Sequence, residues 1–195
     1  MDKLSYALGM VIAENLKGLG ANDVDTTDFA KAVADVLAGK STELTPIEAQ
    51  TTVQEFMQKQ EAERSKFMRK AGEDFLAENA KKPGVKQLPN GVQYKVIKEG
   101  NGEIPKDTSV VKVQYEGKTI DGKVFDSTYQ RGEPVTMRAN QVIKGWTEAL
   151  THMPAGSVWE VYIPEDMAYG SRDQGNIKPF STLIFKIELV SVGEK

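Results

Sequence analysis

The chain has 195 residues, of which 39% are hydrophobic and 27% are charged, and its formal net charge is −3. A weakly acidic chain without a basic run argues against nucleic acid as the main partner. Cysteine is absent and His152 is the single histidine, which excludes disulfides, thiolate nucleophiles and histidine clusters for zinc. We therefore expect no metal or other cofactor.

The N-terminal stretch bears on the cellular location. MDKLSYALGM lacks the basic segment followed by an apolar segment that marks a secretory signal. We therefore expect a cytoplasmic protein, or a periplasmic one if a signal peptide has been removed from this sequence. No hydrophobic run approaches about 18 residues, so we expect no membrane span.

Apolar residues in the first part of the chain recur with the period of an amphipathic helix. The stripe from Leu4 to Leu19 predicts a first helix, and the stripe from Phe29 to Leu37 predicts a second one that ends at Gly39. Two short helices bury little apolar surface by themselves, so this region is expected to need a partner surface.

The third predicted helix has a strong N-terminal signal and spans residues 45–82. Thr45 is placed to cap it, Pro46 occupies its first position, and Glu48 completes a capping box. Apart from Gly72 no helix breaker interrupts it, so it would be about 50 Å long at 1.5 Å per residue. Its middle is polar on all sides, which is typical of a helix that bridges two bodies through solvent.

These helices predict a division of the chain into three parts. Residues 1–57 would form a helical dimerisation domain, because pairing with a second copy would cover the apolar stripes. Residues 45–82 would form a connecting stalk, and residues 84–195 would form the C-terminal domain. The alternative is a monomer in which the helices fold back as a cap on the second half.

In the second half of the chain the period of the apolar residues changes to two, which indicates strands. Segments 110–117, 158–163 and 183–190 alternate apolar and polar residues as half-buried antiparallel strands do, and residues 120–123 (IDGK) are a hairpin-turn signal. One short helix follows Gly145. Together the elements predict an α+β fold: an N-terminal all-helical domain, a long stalk helix, and an antiparallel sheet wrapped on one short helix.

Aromatic side chains in the second half are spaced so that this sheet and its helix would bring them together. Tyr115 and Phe185 point inward from strands, Phe125 and Asp126 follow the hairpin, and Trp146 begins the helix. An aromatic cup with one carboxylate at its lip is typical of a small apolar pocket. The rings could equally be ordinary core residues, and Asp126 could cap the turn that follows it.

Six motifs in this half closely resemble the FK506-binding-protein (FKBP) family of peptidyl-prolyl cis–trans isomerases. They are VQYEGKTIDGKVFDST, RGEPVTM, VIKGWTEAL, MPAGS, EDMAYG and STLIFKIELVSV, and the resemblance extends from Gly91 to Val192. The N-terminal helices, the stalk and the segment AENAKKPGVKQLPNGVQYKVI resemble the bacterial macrophage-infectivity-potentiator-like subgroup. That resemblance implies a V-shaped homodimer joined through the N-terminal helices.

The resemblance also implies the residues of the site. The catalytic residues would be Asp126, Tyr169, Phe125 and Ile143, and the substrate-binding residues would be Tyr115, Arg131, Val142, Trp146, Ile177 and Phe185. The Trp146 indole would then be the floor under the substrate proline ring. Val135 and Asn176 depart from the family's usual residues at the rim, which bears on macrolide affinity and substrate preference.

The chemistry that the resemblance implies suits a site without a nucleophile or a metal, because rotation about an X–Pro bond breaks no covalent bond. Its barrier of about 18–20 kcal/mol comes from amide resonance. An apolar cup and a few hydrogen bonds would favour the twisted amide over the planar one. The expected function is therefore peptidyl-prolyl isomerisation in folding proteins, with chaperone activity in addition.

The expected partners follow from this function. They are proline-containing unfolded or partly folded polypeptides, a second copy of the chain, and macrolides of the FK506 and rapamycin type. The alternative function is that of a dimeric holdase, a binding module whose isomerase activity is incidental.

Overall fold

The computed structural model describes residues 1–193, and the chain divides into two compact units, Met1–Arg64 and Ser65 onward. The last two residues of the predicted domain 84–195 lie outside the described residues. The helices are α1 (Lys3–Gly18), α2 (Thr26–Leu37), α3 (Pro46–Asn79), α4 (Thr128–Arg131) and α5 (Lys144–Leu150). The strands are β1 (Val85–Gln87), β2 (Gln93–Lys98), β3 (Val110–Thr119), β4 (Val124–Ser127), β5 (Val135–Arg138), β6 (Val158–Ile163) and β7 (Leu183–Gly193).

Side-chain hydrogen bonds fix the start of each helix in the first unit. Asp2 and Asp25 accept hydrogen bonds from backbone N–H groups in the first turns of α1 and α2. The predicted capping box is present, because the Glu48 N–H donates to Thr45 Oγ1 at 3.2 Å and the Thr45 N–H donates to Glu48 Oε2 at 2.8 Å. Such caps satisfy backbone groups that the first helical turn leaves unpaired.

No residue of the first unit is buried. Leu4 on α1 is 69% exposed, Val36 on α2 is 65% exposed, and Val53 on α3 is 61% exposed. The predicted apolar stripes are therefore present, and within residues 1–64 they are not buried. A unit without a core gains little stability from buried apolar area. Stabilising it therefore requires another surface that buries these apolar faces.

The predicted long helix is present as α3, which has 34 residues. Its polar stretch 58–66 is exposed except at Gln60 and Ser65, which are half-buried. The helix ends before the turn at Gly84, whose φ of 80° lies in the left-handed region that favours glycine.

The second unit is built on one seven-stranded antiparallel sheet. Its strands follow the order β1-β2-β6-β7-β3-β4, and β5 also pairs with β3. On one side, β3 pairs with β7 along its whole length. On the other side, its first part pairs with β5 and its last part pairs with β4. The long strand β3 therefore brings β4, β5 and β7 to one place.

The core lies between one face of this sheet and α5. Trp146, Ala149 and Leu150 of α5 are buried against inward residues of the strands. The inward strand residues are Val111, Val113, Trp159, Val161, Ile163, Leu183, Phe185, Ile187 and Leu189. Buried and more exposed positions alternate along β3 and β7 with the predicted period of two, and the predicted α+β fold class is confirmed.

The end of α3 covers part of the opposite face of the sheet. The ring of Phe75 lies 6.1 Å from that of Tyr162, centroid to centroid, and the Asn79 side-chain amide donates to Gln93 Oε1 at 3.0 Å. Asn79 is fully buried. Because of this packing the second unit begins at Ser65, earlier than the predicted start at residue 84.

Candidate functional site

Strands β3, β4, β5 and β7 and the start of α5 enclose a cleft of about 230 Å³. The residues that line it are Tyr115, Phe125, Asp126, Met137, Gln141, Val142, Ile143, Trp146, Tyr169 and Phe185. Its walls are mainly aromatic and aliphatic with a few polar groups, which is the usual composition of a ligand pocket.

Four aromatic rings hold each other in place around the cleft. The rings of Tyr115 and Phe185 stand at 90° to the Trp146 indole, with centroids 5.0 Å and 5.3 Å away. Phe125 stands at 82° to Phe185, with 5.6 Å between centroids. Edge-to-face pairs of this kind are favourable. Trp146 is only 4% exposed, so it serves the core and the cleft at once.

Two glycines allow this close packing of rings and elements. A Cβ at Gly117 of β3 would lie 2.6 Å from the Phe125 ring and 2.7 Å from the Phe185 ring. A Cβ at Gly145 of α5 would lie 2.3 Å from Ile163 Cγ2 on β6. Any larger residue at either position would displace the aromatic wall or the helix that carries Trp146.

Three polar side chains form a network at the border of the cleft. The Tyr115 hydroxyl donates to one oxygen of the Asp126 carboxylate, and Arg131 Nη1 donates to the other. Arg131 Nη2 also donates to the Tyr115 hydroxyl at 3.3 Å. Ser127 caps α4, the four-residue helix that carries Arg131. The short helix therefore turns Arg131 back toward the carboxylate of β4.

The same network sets the charge of Asp126. Burial would raise the pKa of this carboxyl, but the hydrogen bonds from Tyr115 and Arg131 and the positive charge of Arg131 outweigh burial, and the pKa of Asp126 is lowered. Burial and the hydrogen bond to Asp126 raise the pKa of the Tyr115 hydroxyl. At neutral pH the cleft therefore carries an ionised carboxylate and a neutral phenol.

The Ile143 N–H and the Tyr169 hydroxyl are hydrogen-bond donors at the cleft that have no partner within residues 1–193. Ile143 precedes α5, and its carbonyl accepts from the Trp146 N–H at 2.9 Å. The N–H groups at a helix start have no acceptor inside the helix. Tyr169 follows a 3-10 turn, Glu165–Met167. Both donors can bind a carbonyl group of a ligand.

The structure brings eight of the ten predicted site residues to the cleft. Arg131 does not line it, but binds Asp126 and Tyr115, which do. Ile177 is buried in the core and does not line the cleft. The position of these residues is thereby known, whereas their catalytic and binding roles stay predictions.

The cleft also contains two residues that the sequence interpretation did not assign to it. On β5, half-buried Val135 and Met137 alternate with exposed Thr136 and Arg138. This alternation could have placed Met137 on the inward side, where it lines the cleft while Val135 does not. Gln141 lies in the loop before α5, and no sequence pattern marks it.

Within residues 1–193, no group of three or more histidine, aspartate or glutamate side chains is placed to hold a metal ion. None of the helices in the same part of the chain is long and apolar enough to cross a membrane.

Comparison with known protein families gives matches over nearly the whole chain. The family model described as FKBP-type peptidyl-prolyl cis-trans isomerase matches residues 101–190. The model described as the domain amino terminal to FKBP-type peptidyl-prolyl isomerase matches residues 1–96. The first match contains every residue that lines the cleft.

Individual relatives are similar over both units. The outer membrane protein MIP of Legionella longbeachae is 45% identical over 199 residues, which cover 98% of this chain and 85% of the relative. The peptidyl-prolyl cis-trans isomerase Mip of Coxiella burnetii is 42% identical over 211 residues, which cover 100% of this chain and 87% of the relative. Among solved structures, FkpA from Escherichia coli matches with a TM-score of 0.80 at 35% identity, over 97% of this chain and 95% of that chain.

Proposed function

This chain belongs to the FKBP-type peptidyl-prolyl cis–trans isomerases, and we propose that its aromatic cleft is the site at which X–Pro bonds are rotated. One observation carries the proposal: an apolar, ring-walled cleft lies beside two unpaired donors, the Ile143 N–H and the Tyr169 hydroxyl. A proline ring is an apolar group that suits such a cleft, and the carbonyl groups on either side of it require donors.

The cleft can lower the rotation barrier without forming a covalent bond. The barrier of about 18–20 kcal/mol arises from amide resonance, which also makes the planar amide polar. An apolar cleft removes the water that stabilises this polar form, so the twisted form becomes relatively more favourable. Hydrogen bonds from Tyr169 and Ile143 then hold the substrate carbonyls in the twisted geometry, which is complementarity to the transition state.

Asp126 supports this reaction without transferring a proton. Its ionised carboxylate holds the Tyr115 hydroxyl and the Arg131 guanidinium, which keeps one wall of the cleft in a fixed position. The negative charge also shapes the electrostatic field at the rotating carbonyl. Arg131 thus acts through Asp126 and Tyr115, not as part of the cleft wall.

NMR exchange spectroscopy with a proline-containing tetrapeptide tests the site directly. The rate of cis–trans exchange should rise when the protein is added. Protons of the proline ring should show intermolecular NOEs to the rings of Trp146 and Phe185. Exchange that rises while the peptide contacts only residues outside the cleft would contradict the assignment.

We further propose that the helical part of the chain, predicted to comprise residues 1–57, pairs with a second copy. The support is the lack of any buried residue in residues 1–64. This unit also carries a cavity of about 660 Å³ beside α2, with Val36, Leu44 and Ala49 in its wall. Sedimentation at several concentrations tests the proposal, and a monomer throughout the micromolar range would contradict it.

The substrates proposed for the isomerase are unfolded or partly folded polypeptides that contain proline, and chaperone activity accompanies isomerisation. A holdase function is the second candidate, and the exposed aromatic ring of Phe67 on α3, 71% exposed, favours it. Suppression of aggregation by a Phe125→Ala variant separates the two. A holdase would keep this activity when the cleft is damaged. Macrolides of the FK506 and rapamycin type are proposed as competing ligands of the cleft.

For the compartment, we propose the cell envelope instead of the cytoplasm that the N-terminal stretch predicted. The support is the name of the Legionella longbeachae relative, an outer membrane protein. Fractionation of the natural host tests the proposal, and recovery of the protein with a cytoplasmic marker would contradict it.

A further inference from the structure

The loop that carries Tyr169 is closed by backbone hydrogen bonds. It extends from the 3-10 turn Glu165–Met167 to the start of β7. The Phe180 N–H donates to the Gly170 carbonyl at 2.7 Å, and the Gly170 N–H donates to the Glu165 carbonyl at 2.9 Å. The position of Tyr169 in the cleft therefore depends on Phe180 and Glu165, which lie on either side of it in the chain.

Phe180 adopts an unfavourable backbone conformation. Its φ of 59° makes it the only non-glycine residue with a positive φ in residues 1–193. A bulky side chain rarely adopts this region, and it persists only where the surrounding structure enforces it. The hydrogen bond to Gly170 is one such constraint, and the Phe180 side chain provides another.

Arg69 on α3 binds that side chain. Its guanidinium carbon lies 4.1 Å from the centroid of the Phe180 ring, which is within the range of a cation–π contact. Its Nε lies 3.5 Å from Glu165 Oε1. A single side chain of α3 therefore contacts both ends of the Tyr169 loop.

The close approach of α3 to this loop is possible because residue 72 is glycine. A Cβ at Gly72 would lie 2.3 Å from Thr182 Oγ1, and Thr182 is buried. Glycine is disfavoured in a helix interior, so helix stability does not account for it. Its position three residues after Arg69 places both on the part of α3 that faces the loop.

We propose that Arg69 is a positioning residue for isomerisation: through Phe180 and Glu165 it holds the loop so that the Tyr169 hydroxyl reaches the substrate carbonyl. This inference rests on the role proposed above for Tyr169. The last turns of α3 then support the active site. Lysine cannot replace Arg69 here, because it lacks the planar guanidinium that faces the ring and the carboxylate together.

The test compares Arg69→Ala and Arg69→Lys with Lys70→Ala in the full-length chain. Lys70 is a matched control, since it is the next residue of the same helix and its ion pair with Asp74, at 2.9 Å, stays within α3. Arg69→Ala should lower kcat on an X–Pro peptide about three- to tenfold with little change in KM. Lys70→Ala should leave both constants unchanged, and Arg69→Lys should recover little of the loss.

Hydrogen exchange of the Phe180 and Gly170 amides gives a measurement that does not depend on activity. In Arg69→Ala these amides should exchange at least about tenfold faster, while amides in the centre of β7 keep their protection. Unchanged exchange in the loop would overturn the proposal. Equally faster exchange throughout the second unit would also overturn it, because Arg69 would then act on global stability.

The variant that combines Arg69→Ala with Tyr169→Phe separates this inference from the proposed function. If Arg69 acts through the Tyr169 hydroxyl, its loss should have no further effect on kcat once the hydroxyl is absent. Additive losses would overturn the positioning role. If Tyr169→Phe alone keeps the wild-type kcat, the proposed role of Tyr169 is wrong, and the exchange data decide whether Arg69 holds the loop.

Discussion

Phe125 and Asp126 are neighbours on β4, yet both line the cleft. Consecutive residues of a strand normally point to opposite faces of the sheet. Where β4 pairs with β3, however, the register shifts between Gly117 and Lys118. Such irregularities re-aim side chains near functional sites. The ring of Phe125 thereby completes the apolar wall while the carboxylate of Asp126 forms its polar lip.

Replacing either residue should impair catalysis without unfolding the protein. We expect Phe125→Ala and Asp126→Val each to lower kcat/KM on an X–Pro peptide at least about tenfold, or about 1.4 kcal/mol of transition-state binding. Trp146→Leu should lower kcat/KM by less than these two changes, because leucine keeps part of the apolar surface of the cleft. Lys123→Ala in the exposed turn before β4 is the control, and far-UV circular dichroism monitors folding. Wild-type rates in both cleft variants would exclude this cleft as the site.

The lowered pKa of Asp126 predicts how activity depends on pH. This carboxyl stays ionised near neutrality, and no histidine lines the cleft. We therefore expect kcat/KM on a fixed peptide to be nearly flat between about pH 6 and 8, in contrast to the bell shape of general acid–base catalysis. A steep change in that window would reveal an essential titrating group elsewhere.

The same pKa shift predicts how stability depends on pH. Because folding lowers the pKa of Asp126, its contribution to stability is complete above the unfolded pKa of about 3.9 and is lost as the pH falls through the folded value. At neutral pH the free energy of unfolding should be larger for wild type than for Asp126→Asn. This difference in unfolding free energy should shrink below about pH 4. A constant difference over pH 2–7, measured by urea unfolding, would contradict the shift.

Parts of the cleft could be predicted from the sequence because strand alternation fixes which side chains face inward. Tyr115 and Phe185 follow that rule. Arg131 reaches Asp126 only because a four-residue helix, α4, turns the chain back, and so short a helix has no periodic signal. Gln141 lies in a loop without any pattern, and the free N–H of Ile143 belongs to the backbone, which every residue has.

Among the elements, α3 was predictable as a helix although its packing was not. The capping box and the lack of breakers fix its start and length. An apolar stripe that contains Met68, Phe75 and Leu76 indicates a buried face, but not what covers it. The structure places Phe75 against Tyr162. Tyr162 and its cross-strand neighbour Ile184 are both buried, on the side of the sheet that alternation assigns to solvent.

Gly72→Ala tests this packing. In an isolated helix alanine is favoured over glycine by about 1 kcal/mol, but here the new Cβ would lie 2.3 Å from Thr182 Oγ1. We expect the overlap to dominate and to destabilise the second unit by about 1–3 kcal/mol, measured by urea unfolding. Adding Thr182→Ala should recover part of the loss. A Gly72→Ala variant as stable as wild type would show that α3 is not tightly packed there.

At the scale of the whole molecule, the two units differ in how they can be stabilised. The second unit buries a continuous core between its sheet and α5, whereas the first unit buries no residue. The amphipathic stripes in the sequence predicted that this unit needs a partner surface, since two short helices cannot bury both of their apolar faces. We expect a second copy of the chain to bury these faces, because each copy exposes the same ones.

Two fragments separate what each part of the chain contributes to catalysis on a peptide. A fragment from Ser65 keeps the cleft, the sheet and Arg69, and a fragment from Gly84 loses the end of α3. Both should be monomeric, because neither contains residues 1–64. The Ser65 fragment should isomerise a short peptide about as fast as the full chain, since such a peptide fills one cleft. The Gly84 fragment should be slower, because Arg69 no longer holds the Tyr169 loop.

An unfolded protein substrate should distinguish the Ser65 fragment from the full chain. Such a substrate can contact both copies of a dimer, and its second contact is favoured by effective concentration, by about 10²-fold or more in avidity. The Ser65 fragment should therefore lose much of its ability to accelerate proline-limited refolding, while its activity on a peptide survives. Sedimentation of both proteins and the two assays measure this. Two results would contradict this prediction: a monomeric full chain, or a fragment that loses its activity on the peptide and on the protein equally. In either case the helical unit would influence each cleft separately, and simultaneous binding of one substrate by two copies would be wrong.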